Sequence, residues 1–333
     1  MVRLPRAGVA AVARWEQGFA RVPRRRGGLA HASPEPTVGT ARLAIDRAVV
    51  YLRGQQRHDG ALRDFALEPG LSDSWMTAHV ALVLDGVLPA QAIRRDAARF
   101  LYARGCRRGA WGFNDRVEED ADSTAQALLV LAAHGYVLPP AWTELLLGFQ
   151  QPGGGFSTYR APPTGPVTGW QASHPDVTLA ALAAVRVLDL DPTAAARADV
   201  FLAGASGTTS GLTTAYWWAI PAYTVWAHAR FGIAADAAAD RARYLLAAAP
   251  GPLDVALLAQ VAGLDGAARD TAMINLLATQ AADGSWPCSP CLRVTDPALH
   301  SSLLVAPGPV YGGARRVFST AHAAAALARL ARL

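Results

Sequence analysis

The sequence predicts an all-α fold of six helix pairs closed into a ring, an (α/α)6 toroid. Three observations predict it. Apolar residues recur mostly at three- and four-residue spacing, in segments filled with alanine, leucine and arginine, all good helix formers; few segments show the alternating β-branched pattern of strands. Amphipathic segments alternate with more apolar ones across Gly-rich turns that resemble one another. Thr77 and Thr124 hold matching places 47 residues apart and Thr178 follows 54 later, and a period of about 50 marks a helical-repeat architecture.

The amphipathic helices are expected at 41–55, 91–105, 140–151, 193–204, 236–249 and 267–280. The apolar ones are expected at 73–85, 121–134, 175–188, 221–231, 253–263 and 318–331. Gln56–Leu62, Gly109–Phe113, Gln151–Phe156 and Gln280–Trp286 are the clearest turns, with weaker copies at Gly211 and Pro250-Gly251-Pro252. The reading is a C-cap glycine followed by an aromatic that folds back to pin the turn, with the glutamine bonding loose backbone groups at its helix end. The final helix is as apolar as the middle ones; an open solenoid usually needs polar capping repeats, so closure is favoured. Residues 1–38 are expected to form an N-terminal arm with a short helix, and 39–333 a single toroid domain. Asp189 and Asp191 read as a cap before Pro192.

Composition excludes several chemistries. All 31 basic residues are arginine, which rules out Schiff-base, pyridoxal-phosphate and P-loop lysines. The charge of +5 is scattered, and Arg24-Arg25-Arg26 has no interleaved aromatics, so no nucleic-acid partner is expected. The three cysteines, Cys106, Cys288 and Cys291, argue against a disulfide framework. The N-terminus is a poor signal peptide, and Val200–Ala229, rich in Gly, Ser and Thr, is a poor transmembrane helix. A cytoplasmic monomer or homodimer is expected, with peripheral membrane contact left open.

Several of these segments together resemble a known family. Gln280-Ala281-Ala282-Asp283-Gly284-Ser285-Trp286 resembles the QW repeat of squalene–hopene cyclases. Gly109–Phe113 followed by Asp120-Ala121-Asp122-Ser123-Thr124-Ala125 resembles the cyclase segment ending in the DxDDTA motif, here DxDSTA. Gly154-Gly155-Phe156 with Tyr159, then Pro175-Asp176-Val177-Thr178, resembles the next repeat. The resemblance runs from about residue 41 to the C-terminus. It implies the toroid shared by class II terpene cyclases and protein prenyltransferase β subunits. It also implies that Asp122 is a proton donor and that Asp120 holds and polarises it. Ser123 replaces the third aspartate, and the chain is about the length of one toroid, whereas typical class II cyclases add a second helical domain.

Read as residues alone, Asp120 and Asp122 suit a helix N-terminus, as cap and dipole partner. A general acid needs more: burial or a like charge must keep the carboxyl protonated near pH 7. Asp120, Glu118 and Glu119 are candidates for the like charge. Ser123 can hydrogen-bond but adds no charge. Trp75, Trp111, Phe113, Trp170, Tyr216, Trp217, Trp218, Tyr223 and Phe318 cluster near turns and inner-helix starts. They suit core packing, or a π-lined cavity that steadies a carbocation and excludes water. Tyr216-Trp217-Trp218, before Pro221, is expected at the ring's mouth with the Asp120 turn. His174, beside Asp176, is placed as a neighbour of the acid. Cys288 and Cys291 form a CxxC with His300 and His322 downstream, but four ligands at suitable spacing are not evident, so no metal is expected.

The leading expectation is protonation-initiated cyclisation or isomerisation of an isoprenoid or related polyene, with no cofactor for the acid step. Magnesium is expected only if the substrate carries a diphosphate, which Arg315 and Arg316 would hold. The rivals are a zinc-dependent prenyl transferase and a non-catalytic toroid that binds a lipid or peptide.

Overall fold

A computed structural model describes residues 36–160, 169–206, 212, 215–249, 251–297 and 308–332. Most of the expected N-terminal arm, the weak turn at Gly211 and His300 lie outside them. Among the described residues are twelve α-helices that alternate between an outer and an inner layer. The outer helices are α1 (Val38–Gln55), α3 (Gln91–Arg108), α5 (Pro140–Leu147), α7 (Pro192–Ser206), α9 (Ala235–Leu246) and α11 (Gly266–Thr279). The inner helices are α2 (Ser74–Val83), α4 (Ala121–Ala133), α6 (Pro175–Val187), α8 (Pro221–Arg230), α10 (Pro252–Ala259) and α12 (Val317–Ala331). Each inner helix packs on the next, and α12 packs on both α1 and α2, so the ring closes. The inner helices bury nearly every side chain, and the outer helices bury one face, as the alternation of apolar and amphipathic segments requires.

Repeated side-chain bonds fix the stacking. Thr124 donates to the Trp111 carbonyl, and Thr77, Thr178 and Thr320 bond the backbone of Leu62, Phe156 and Trp286. The Trp111 and Trp286 indoles each donate to the carbonyl ten residues earlier, Leu101 and Leu276. The turn glutamines do more than the sequence suggests. Gln56, Gln150 and Gln280 each donate to the turn glycine's carbonyl and to a carbonyl of the next outer helix: Ile93, Ala194 and Ala44. In the third repeat the working residue is Gln150, not Gln151; the glycine four residues on, Gly154, sets that register. At Gly60 and Gly154, φ is +94° and +90°, and a Cβ would lie 2.2 and 2.3 Å from the backbone oxygens of Asp96 and Arg197. Only glycine combines that conformation with so close an approach.

Two small antiparallel sheets interrupt the helices, β1 (Asp64–Leu67) with β2 (Gly70–Ser72) and β3 (Leu292–Arg293) with β4 (Val310–Tyr311). They are too short to leave a periodic signal in the sequence. Both contribute to the mouth where α4 begins. No helix among the described residues is long and apolar enough to cross a membrane.

Candidate active site

The first turn of α4 carries both aspartates. Asp120 is the N-cap: its Oδ1 accepts from the Ser123 backbone N–H at 2.6 Å and its Oδ2 from the Ser123 hydroxyl at 2.7 Å. Asp122, half-buried, accepts from the Trp75 indole at 2.6 Å through Oδ2 and from the Gln126 amide at 2.7 Å through Oδ1.

Desolvation outweighs these donors in both cases. It pushes Asp120 up to about 7; the Asp122 charge adds to the rise, and the Ser123 bonds oppose it. Desolvation pushes Asp122 up to about 6, against the pull of Gln126 and Trp75 and with help from the Asp176 charge. Two adjacent carboxyls of this kind titrate as a pair and retain a proton near neutral pH. The like charge raising Asp122 comes from Asp176 at the start of the neighbouring inner helix α6, not from Glu118 or Glu119; Glu119 ion-pairs with Arg160.

The aspartates face a cavity of about 880 Å³ walled by Trp75, Phe113, Tyr159, Trp170, Trp217 and Trp218, with Leu67, Val177 and Leu292 between them. The indoles are held in place. Trp217 donates to Thr158 Oγ1 at 2.8 Å, and Trp170 donates to the Thr295 carbonyl at 3.0 Å. Trp218 stacks on Tyr223 at 3.6 Å and on Phe318 at 5.4 Å. A buried protonated carboxyl facing fixed π-faces can protonate an alkene and then steady the resulting cation.

The fold has known counterparts. A type II terpene cyclase, MstE from Scytonema, solved with merosterolic acid A as product, superposes with a TM-score of 0.73; it is 23% identical over 89% of this chain and 99% of its own. This chain has the type II terpene cyclase fold. A complex of MstE with geranylgeranyl dihydroxybenzoate as substrate gives 0.72 at the same identity and coverage. A protein from Actinoplanes gives 0.71 at 25% identity, over 88% of this chain and 100% of its own. ent-Copalyl diphosphate synthase from Streptomyces platensis gives 0.52 at 19% identity, over 78% of this chain and 50% of its own. No protein-family model and no curated protein matches the sequence.

Within this fold the cavity gathers Asp120, Asp122, Ser123, Trp75, Phe113, Trp170, Trp217 and Trp218, all singled out in the sequence. The other candidates lie behind its lining. Trp111 is a turn pin, edge-on to Trp142. His174 is the N-cap of α6; its Nε2 bonds the Gly169 carbonyl and its ring stacks on Tyr216 at 3.7 Å, so it supports the wall rather than the acid. Asp176 accepts from the Tyr216 and Trp217 backbone N–H groups, fixing the aromatic triplet. Tyr223 and Phe318 back Trp218.

Arg315 and Arg316 are not part of the cavity lining. The Arg315 backbone is held by Asp64 and Tyr51, and Arg316 bonds Ser285. The arginine lining the cavity is Arg116, with Glu68 and Asp296 nearby. Sequence reasoning missed Arg116 and Thr158, and it missed Gln126 although that residue lies one helical turn after Asp122, the spacing that signals contact. Among the described residues no group of three or more His, Cys, Asp or Glu is placed to hold a metal. His322 points at His79, not at Cys288 or Cys291.

Proposed function

We propose that this protein catalyses protonation-initiated cyclisation or isomerisation of an isoprenoid or related polyene. Asp122 is the general acid, Asp120 is its partner, and Trp75, Phe113, Trp170, Trp217 and Trp218 line the cavity. The observation that carries the reading is Asp122 itself: a carboxyl lifted to about 6, bonded to Trp75 and Gln126, at the wall of an aromatic cavity. The type II cyclase fold supports it, as do the substrate and product seen bound to MstE.

The acid transfers its proton to a terminal alkene or epoxide. The cation passes along the folded chain, shielded by indole faces that stabilise charge without acting as nucleophiles. Loss of a proton from the final cation ends the reaction. No step requires a metal; magnesium enters only with a diphosphate-bearing substrate. Arg116 is placed to meet an anionic head group at the rim. Residues 39–333 act as one catalytic unit behind an N-terminal arm, in the cytoplasm, as a monomer or homodimer.

The test is incubation with farnesyl and geranylgeranyl diphosphates, squalene and prenylated aromatics, with products followed by mass spectrometry, for wild type and Asp122→Asn. Cyclised product from wild type and a loss of about 10²–10⁴-fold in the variant is expected. Unchanged turnover in Asp122→Asn would sink the reading.

A further inference from the structure

Behind Asp122 the hydrogen bonds do not stop at Gln126. The Gln126 Oε1 meets His79 Nδ1 at 3.0 Å, His79 Nε2 meets His322 Nε2 at 3.0 Å, and His322 Nδ1 meets Gln260 Nε2 at 3.2 Å. Gln260 Oε1 accepts from the Trp226 indole at 3.2 Å, and its Nε2 also donates to the Ala256 carbonyl at 2.8 Å. This chain draws on α4, α2, α12 and α8 and on the end of α10, and it crosses the apolar interior of the ring. At its far end, Trp226 and Gln260 line a second cavity of about 420 Å³.

The direction of every bond is set from both ends. An indole N–H can only donate, so the atom it meets on Gln260 is the oxygen, and the Gln260 amide N–H faces His322 Nδ1. His322 must then carry its proton on Nε2 and give it to the lone pair of His79 Nε2. His79 in turn carries its proton on Nδ1 and donates to Gln126 Oε1, leaving the Gln126 N–H for the carboxylate. Starting instead from Asp122, an acceptor when ionised, gives the same assignment. Every donor therefore points toward Asp122.

Both imidazoles are fully buried and must be neutral for this to hold. Burial presses His79 down to about 3, and burial with the neighbouring His79 presses His322 well below the ordinary imidazole value. The ionisable groups around the chain are Asp122 and Asp120 on α4, Asp176 on α6, and Tyr223 and Arg230 on α8.

We propose that the neutral His79–His322 pair is a positioning device for the acid. Its fixed tautomers lock the Gln126 amide N–H onto Asp122, and the aligned chain stabilises the carboxylate left when the proton departs. Aligned bonds polarise one another in a low-dielectric interior, so the far end of the ring contributes to the acid strength at the mouth. This rests on Asp122 being the acid.

The experiment compares His322→Leu, which cuts the chain, with His322→Gln, whose amide nitrogen can replace the Nε2 donor. Both are assayed with the polyene turned over by wild type, alongside Asp122→Asn. His322→Leu is expected to lower kcat about 10- to 100-fold with KM unchanged. It should also move the ionisation in the kcat–pH profile upward by roughly one unit, and His322→Gln should restore both. Imidazole ¹⁵N shifts of wild type should show neutral His79 with its proton on Nδ1 and neutral His322 with its proton on Nε2. The opposite tautomers, a charged imidazole between pH 5 and 8, or a His322→Leu profile that does not move would each overturn the inference while leaving Asp122 as the acid. Full activity of Asp122→Asn would overturn both.

Discussion

Helices α2 and α4 begin alike and end in different chemistry. At α2 the N-cap Asp73 accepts from Ser74 and ion-pairs with Arg104 at 3.2 Å and Arg63 at 3.5 Å; two residues on stands Trp75. At α4 the N-cap Asp120 has, among the described residues, only Ser123 as a side-chain hydrogen-bond partner, and two residues on stands a second acid, Asp122. Threonines at matching positions, Thr77 and Thr124, tie both helices to their turns. The same place in the repeat thus holds a charge-compensated structural carboxylate in one copy and an uncompensated pair in the other. The guanidinium partners make the difference, because a buried carboxylate without a cation gives up its charge instead.

That contrast can be broken from either side. The largest effect is expected at α4: Asp120→Asn should cut turnover by roughly 10²-fold and reduce the paired ionisation in the rate–pH profile to a single one, with the fold intact by circular dichroism. A profile identical to wild type would remove Asp120 from the pair. At α2, Arg104→Ala leaves Asp73 buried with only the longer Arg63 contact. Thermal or urea unfolding should show a loss of about 3 kcal/mol, while kcat of the folded fraction stays near wild type. A fall in kcat without a fall in stability would show that α2 is not merely structural.

The pH dependence follows from the shifts. Both acids are raised in the folded state, so the native protein binds more protons than the unfolded chain at pH values between the ordinary carboxylate range and about 7. The two acids therefore contribute a stability that declines as pH rises through that window, while the buried neutral imidazoles of His79 and His322 contribute in the opposite sense below the ordinary imidazole range. Over the same interval the proton-donating form is lost, and kcat should fall above about pH 6 to 7. Denaturant melts of wild type and Asp120→Asn and rate profiles from pH 4 to 9 check both; a stability difference in favour of wild type that grows with pH would contradict the assignment. The smallest effect is in the turns: Gln150→Ala should cost about 1 kcal/mol and Gln151→Ala less, measured by urea midpoint. The reverse order would restore the register read from the sequence.

The acid motif was legible because it is contiguous: Asp120, Asp122 and Ser123 sit in one helical turn, Trp75 stands at the start of α2, and Trp217 lies in the segment leading into α8. His174, Tyr216 and Phe318 show the limit. Their position near the mouth could be read from the repeat, but whether a ring faces the cavity or backs another ring depends on its rotamer and neighbours. Arg116 was hidden because nothing in its local sequence separates it from other surface arginines; the loop between α3 and α4, tied by Asn114 to the β1–β2 turn, brings it to the rim. His79 and His322 are 243 residues apart, and no spacing rule links them.

What the sequence determined by itself is periodic and local. Apolar spacing set twelve helices, the glycine turns set their pairing, and the apolar last helix set closure, because each is a repeated demand for burial that any copy expresses. What the tertiary structure decided is which acids keep a proton. Asp73 and Asp120 are both N-caps, but packing sets the guanidinium groups of Arg104 and Arg63 beside the first and a second carboxyl, Asp122, beside the other. Electrostatic energy in a buried site depends on separation through space and on exclusion of water, and neither is written along the chain.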